Sequence, residues 1–292
     1  MERLQFQGRF LEITQLADWI TRLDPHATEA WVYNAWNLAY NVSAMMRRPE
    51  DRLRWVANGI LLLRDEALVW SPGEPRLHRE LAWMYRNKIG SSLDRAHLFY
   101  KLSLAAQMAP LLNPDGTLAD PPPPGVAEEL RGMRLDPATM LALQTRFGPL
   151  DWRVPESHAL YWAMGGLAFP DDANTLACYR EAYLSLFTSF LDHGRFTGDL
   201  ENGVWSAAPN PALADGLDEF LRETMALFPR GGVVNIYARL LAHRIRGAAP
   251  MDTRITEWHA ALNALAPSGM VALPVEMLQG APVLPTELFH AP

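Results

Sequence analysis

Cysteine occurs once and lysine twice in this chain of 292 residues, and each scarcity excludes something. A single thiol, Cys178, cannot build a disulfide framework or a multi-cysteine zinc site. Set in an apolar helical pattern, it reads as a buried, inert side chain rather than a nucleophile. With only Lys88 and Lys101, the basic set is almost entirely arginine, and acids outnumber it: 26 Lys+Arg against 33 Asp+Glu leave a net charge of −7. Residues 1–150 balance at 17 and 17, whereas residues 151–292 carry 9 basic against 16 acidic residues. A nucleic-acid binder carries a basic excess, so nucleic acid is disfavoured as a partner.

Long apolar runs are missing too. No stretch reaches the roughly 18 to 20 uninterrupted apolar residues that a membrane span requires. The opening residues Met1-Glu2-Arg3-Leu4-Gln5-Phe6 lack the apolar core of a signal peptide. A soluble, cytoplasmic chain is the expectation. The helical pattern starts almost at residue 1, as it would in a segment cut from a longer protein, where an upstream anchor would be invisible. Reaction signatures are absent as well: there is no Walker loop, no GxGxxG after a strand and no GxSxG. The eight histidines are dispersed, with no close pair and no HExxH. Neither a cofactor nor a metal is expected.

Helical periodicity is present nearly throughout. Residues 8–23 place Phe10, Ile13, Ala17 and Ile20 on one stripe, and Asp24-Pro25 closes the helix because proline disfavours helical backbone in the residue before it. Residues 28–46 carry Trp31, Ala35, Leu38 and Val42 on one stripe and Tyr33, Trp36 and Tyr40 on another. A helix apolar on two sides is sandwiched or lines a groove. After the polar break Arg47-Arg48-Pro49-Glu50-Asp51, helices are expected at 52–70, 76–88 and 94–109, punctuated by Pro72, Gly73, Pro75 and Pro110. Leu111 to Gly125, with Asn113-Pro114-Asp115-Gly116 and the run Pro121 to Pro124, reads as a polyproline-like loop or linker without helix. Further helices are expected at 137–146, 156–168, 172–192, 212–228, 233–246 and 252–266, with loop from Gly194 to Pro211. The tail beyond Pro267 reads as an apolar, proline-broken strap along the surface. No alternating strand of useful length occurs, so the fold class is all-α. The organisation expected is a hairpin array over 1–110, a proline-rich insert over 111–155 and a more irregular helical region over 156–292.

Large, small and large residues recur between these prolines. Trp31, Ala35 and Leu38 are followed by Ala67 and Pro72; Leu81, Ala82 and Tyr85 are followed by Ala96, Tyr100 and Pro110; Tyr161, Met164 and Gly165 precede Tyr179 and Ala182. This series resembles the tetratricopeptide repeat, in which small residues let paired helices approach, large ones fill the gap and proline ends a unit of about 34 residues. The chain departs from that pattern in having Asn34 at a leucine position. Its units are also longer, with Pro25 and Pro72 lying 47 positions apart and Pro72 and Pro110 lying 38 apart. What the resemblance implies is a superhelix of stacked antiparallel hairpins with irregular proline-rich loops, in which each unit buries its face against its neighbours.

The same resemblance implies a concave working surface lined by the first helix of each pair: Trp36 and Tyr40, then Arg79, Trp83, Arg86 and Asn87, then Trp162. Trp and Arg dominate binding hot spots, and arginine grips carboxylates bidentately. The function expected is therefore a non-catalytic scaffold for a protein or peptide. The competing account packs the aromatics internally and leaves the arginines solvated. An all-helical acid–base enzyme is the alternative, built on Asp151, Arg153, Glu156 and His158; against it, Asp151 or Ser157 would serve as a helix cap and Glu156 as a first-turn acid. A structural subunit, with its tryptophan-rich face buried in an assembly, is a variant of the scaffold.

Overall fold

The computed structural model describes residues 7–168, 173–229, 231–249, 251–265 and 274–280. The chain is all-α. Helices α1 (Phe10–Leu23) and α2 (Thr28–Trp36, running on through a π-helical turn at Asn37–Val42 to Ser43–Met45) open it. Helix α3 follows (Pro49–Leu61, then a π turn at Leu62–Ala67 and Leu68–Trp70), then α4 (Pro75–Trp83, with a π turn at Met84–Ile89) and α5 (His97–Met108). Helices α6 (Pro124–Gly132), α7 (Pro137–Phe147), α8 (Pro155–Gly165) and α9 (Ala173–Thr188, with a π turn at Ser189–His193) come next. By contacts the chain divides into two units, residues 1–213 and 214–292. The second contains α10 (Ala214–Leu227), α11 (Gly232–Gly247), α12 (Arg254–Ala264) and α13 (Val275–Gly280).

Proline starts helices here as well as ending them. Pro49, Pro75, Pro124, Pro137 and Pro155 all occupy the first turn of a helix, where the missing N–H would have no partner and the fixed φ is already helical. Two expectations change as a result. Helix α3 begins at Pro49 rather than 52, and Pro124 nucleates a helix (α6) at the end of a stretch expected to be loop throughout. A second departure lies between Gly194 and Pro211, where Arg195–Phe196 pairs antiparallel with Ala207–Ala208 and Asp199 bridges Val204. Of the apolar tail after Pro267, the described part is the short helix α13; the remainder lies outside the described residues.

The first unit is organised around α4. It packs against α2 and, from the other direction in sequence, against α8 and α9. The small residues expected at helix crossings are buried where the chain needs them: Ala35, Ala67, Ala82, Ala96 and Ala182 are all in the core, with Trp31, Leu38, Leu81, Tyr85, Tyr100 and Tyr161 beside them. At the α2–α3 crossing the separation is set by Gly59, where an added Cβ would stand 2.6 Å from the Ala35 carbonyl oxygen and 3.2 Å from the Ala39 Cβ. Trp31 closes the α1–α2 corner by donating its indole N–H to the Pro25 carbonyl at 2.9 Å.

The proline-rich stretch is docked onto the first unit. Leu118 is buried, and its N–H and C=O are both held by the Gln144 side chain of α7 at 2.7 and 3.1 Å. The Gln144 oxygen also accepts the Trp152 indole N–H at 2.7 Å, and the Trp152 backbone N–H donates to the Gly116 carbonyl at 2.9 Å. Backbone groups that would cost free energy if buried alone are thereby paired.

In the second unit, Leu217, Phe220, Leu221, Val233, Leu240, Leu241 and Ile245 form a separate core. Trp258 is buried with two guanidinium groups near its ring, Arg244 at 5.3 Å and Arg254 at 5.0 Å from the ring centre, contacts favoured by the ring quadrupole.

Candidate functional site

Six of the seven residues expected on a working surface occur on two neighbouring helices, α2 and α4. Trp36 stacks on Tyr40 with ring centres 4.7 Å apart. The Tyr40 hydroxyl donates to Asn87 Oδ1 at 3.1 Å, which ties α2 to the π turn of α4. Burial, the largest effect, raises the Tyr40 pKa far above its ordinary value, so the phenol stays protonated and serves as a donor. One turn back, the Arg86 guanidinium lies 5.2 Å from the Trp83 ring centre. Trp36 keeps 40% of its surface exposed.

Both arginines of this strip already hold carboxylates of the chain itself. Arg79 is paired with its neighbour Glu80, and the Arg86 Nε donates to the buried Glu181 of α9 at 2.7 Å. Trp162 is on a different helix, α8, and is buried, with its ring 5.2 Å from Tyr161 and 6.1 Å from His78 of α4. Cys178 is buried, its thiol donating to the Pro75 carbonyl at 3.3 Å.

The segment Asp151 to His158 separates into three jobs. Asp151 and Arg153 form a two-pronged pair at 2.9 and 2.8 Å. The same carboxylate accepts the backbone N–H of Arg153 at 2.9 Å and of Phe196 at 2.8 Å, so it staples the short hairpin to the start of α8. His158 is fully packed. It stacks on Tyr85 at 5.0 Å and its Nε2–H donates to the Trp152 carbonyl at 2.9 Å, while burial lowers its pKa to about 4. Glu156, two residues earlier on the helix and therefore on another side of it, faces a cavity of about 460 Å³ that neither Arg153 nor His158 lines.

That cavity gathers several polar and titratable groups. Its wall includes Arg86, Ser91, Ser92, His97, Lys101, Glu156, His193 and Trp205. Glu156 is 3% exposed, and its Oε2 has no hydrogen-bond partner. Burial raises its pKa to about 7, against the pull of its own backbone N–H, Lys101 and Arg86. Lys101 is 6% exposed; its Nζ sits 3.4 Å from His97 Nδ1 and 5.9 Å from the Trp205 ring centre. Burial lowers the Lys101 pKa, with Glu156 opposing that shift, and burial followed by the Lys101 charge lowers those of His97 and His193. The arrangement offers one acid and one base poised nearer neutrality than in water.

Of these residues only Arg86 and Glu156 carried a sequence signal for function. Lys101, His97, His193 and Trp205 come from three separate segments, and no spacing connects them. The sequence showed only that lysine is scarce; that both lysines, a residue type usually solvated, are buried is visible in the structure alone. Three of the four π turns among the described residues carry site residues, namely Tyr40, then Arg86 and Asn87, then His193. Such turns are frequent at functional positions. Among the described residues no group of three or more His, Cys, Asp or Glu side chains is arranged to hold a metal ion, and no described helix is long and apolar enough to cross a membrane. The chain matches no known family model, curated protein or solved structure.

Proposed function

We propose that this chain is a tetratricopeptide-like scaffold of helical hairpins that binds a protein or peptide along the α2–α4 strip. The observation that carries the reading is the half-open aromatic stack of Trp36 on Tyr40 beside Trp83. Exposed aromatic surface held rigid by hydrogen bonds from below supplies binding area at low entropic cost. The burial of the repeat-like residues Trp31, Ala35, Leu38, Leu81, Ala82 and Tyr85 supports the family reading. Because Arg79 and Arg86 are already paired with Glu80 and Glu181, the strip selects for apolar and aromatic side chains in its partner more than for acidic ones.

Selection from a displayed random-peptide library against the whole chain tests this. Enriched peptides are expected to be rich in apolar anchors and to lose at least about tenfold in affinity on Trp36→Ala, while Trp70→Ala, another exposed tryptophan, leaves binding unchanged. Enriched peptides indifferent to both Trp36→Ala and Trp83→Ala would overturn the proposal.

A further inference from the structure

The cavity beside α8 is lined by an ammonium and a carboxyl group that form no ion pair with each other. Lys101, on α5, carries a buried ammonium whose close neighbours are the acceptor nitrogen of a histidine and the face of an indole; among the described residues it makes no ion pair with a carboxylate. The contrast is the other lysine, Lys88, whose Nζ is 2.7 Å from Asp94 Oδ2. Glu156, at the start of α8, lines the same cavity, and its Oε2 is buried with no hydrogen-bond donor. A buried ammonium lacking a counter-anion and a buried carboxyl lacking a donor are both costly. Each would be satisfied by a group of the opposite kind bound in the cavity.

The cavity has room for that group. About 460 Å³ falls in the range of small-ligand pockets, and the wall supplies hydroxyls at Ser92 and Thr188 and a flat apolar surface at Trp205. Gly90 stands where a Cβ would come within 3.3 Å of Glu156 Oε1, so any larger residue there would crowd the carboxyl. Arg86 adds positive potential to the wall while its Nε is committed to Glu181.

We infer that this cavity is a binding site for a small zwitterion of the amino-acid class, its carboxylate facing Lys101 and its ammonium facing Glu156. The site shares Arg86 with the aromatic strip, but its ligand contacts, Lys101 and Glu156, lie outside the strip, and it does not depend on the scaffold reading.

The test uses the full chain and the twenty free L-amino acids, supplied singly. At least one is expected to raise the melting temperature by about 5 °C at a hundredfold excess over its Kd. Its N-acetyl derivative, which lacks the ammonium, and its amide, which lacks the carboxylate, should each bind at least about tenfold more weakly by calorimetry, the loss expected when a buried charge is left unpaired. Lys101→Met should remove binding. Should that variant fail to fold, Ser92→Phe, which fills the cavity mouth from an exposed loop position, must weaken binding at least about tenfold. The proposal is overturned if no amino acid binds, if acetate or inorganic phosphate alone reproduces the effect, or if the N-acetyl and amide forms bind as well as the parent. It is also overturned if binding survives both Lys101→Met and Ser92→Phe.

Discussion

Arg52 of α3 closes a buried two-pronged ion pair with Asp94, its Nη2 lying 2.9 and 2.8 Å from the two carboxylate oxygens. Lys88 joins from α4 at 2.7 Å, and the Ala96 backbone N–H donates to the same carboxylate at 2.9 Å. Arg52 also holds the carbonyls of Ala44 and Met46 at 3.1 Å, so one guanidinium locks the end of α2, α3 and the loop before α5. Burial pushes the Asp94 pKa up, but the hydrogen bonds from Arg52, Lys88 and Ala96 outweigh it and hold the carboxyl well below the usual range.

Asp94→Asn leaves Arg52 and Lys88 buried without a counter-charge, which is expected to cost about 3–5 kcal/mol. Urea denaturation at neutral pH measures it. The sign with pH follows from the depressed pKa: the contribution of Asp94 is complete above its unfolded-state value and is lost as acid protonates it. The variant's deficit relative to the wild type should therefore shrink at low pH, and a deficit independent of pH would contradict the ion-pair account.

Gly59→Ala weighs two effects of opposite sign. Alanine is worth about 1 kcal/mol more than glycine within a helix, yet its Cβ would sit 2.6 Å from a backbone carbonyl that cannot rotate away. Overpacking of that kind costs about 1–3 kcal/mol, so net destabilisation is expected. A higher thermal midpoint for Gly59→Ala would show that the α2–α3 crossing is looser than described.

His158 and Glu156 are neighbours on α8 with opposed linkage. His158 has its pKa lowered from 6.5 to about 4, so the unfolded chain binds the extra proton in that window and stability falls with acidification, by up to about 3 kcal/mol. Glu156 has its pKa raised from 4.5 to about 7; the folded chain holds the extra proton, and its contribution is lost as pH rises towards 7. Between pH 4.5 and 6.5 the two slopes oppose each other. Glu156→Gln should unmask the histidine, giving a stability that climbs steeply with pH across this range, whereas His158→Gln should reverse the slope. Equilibrium unfolding at several pH values separates these outcomes.

Gly116→Ala tests the docking of the proline-rich loop. Gly116 has φ of +87°, and an added Cβ would fall inside the Asp151 carboxylate. Backbone strain of about 1–3 kcal/mol adds to displacement of a carboxylate that holds both Arg153 and the Phe196 N–H. Faster proteolysis within 111–123 and a lower midpoint are expected. An unchanged digestion pattern would mean that the loop is held elsewhere.

Much of the helical register was readable because each helix repeats its apolar spacing over several turns. Trp31, Ala35 and Leu38, or Leu81, Ala82 and Tyr85, are buried as their periodicity implied. Proline was harder to read, because the residue that stops one helix also starts another, and only the flanking context distinguishes the two at Pro49 and Pro124. The four π turns were not legible at all, since the tighter and wider hydrogen-bond rings use the same residue types. The aromatic strip was partly visible, because Trp36 and Tyr40 lie one turn apart in a single helix. The pairing of Arg86 with Glu181 joins segments 95 positions apart, and no local pattern encodes such a partner.

Sequence by itself determined the all-helical class and most helix positions, because periodicity, helix-starting proline and the lack of alternating strands are local properties of the chain. Tertiary structure alone decided that α8 and α9 pack on α4 across the intervening insert, and that Asp151 staples while Glu156 faces a cavity. It also decided that the two scarce lysines meet different fates, one paired with Asp94 and the other set against a histidine and an indole. The physical reason is that partner choice for a buried charge is set by the burial geometry of distant segments, to which local spacing is blind.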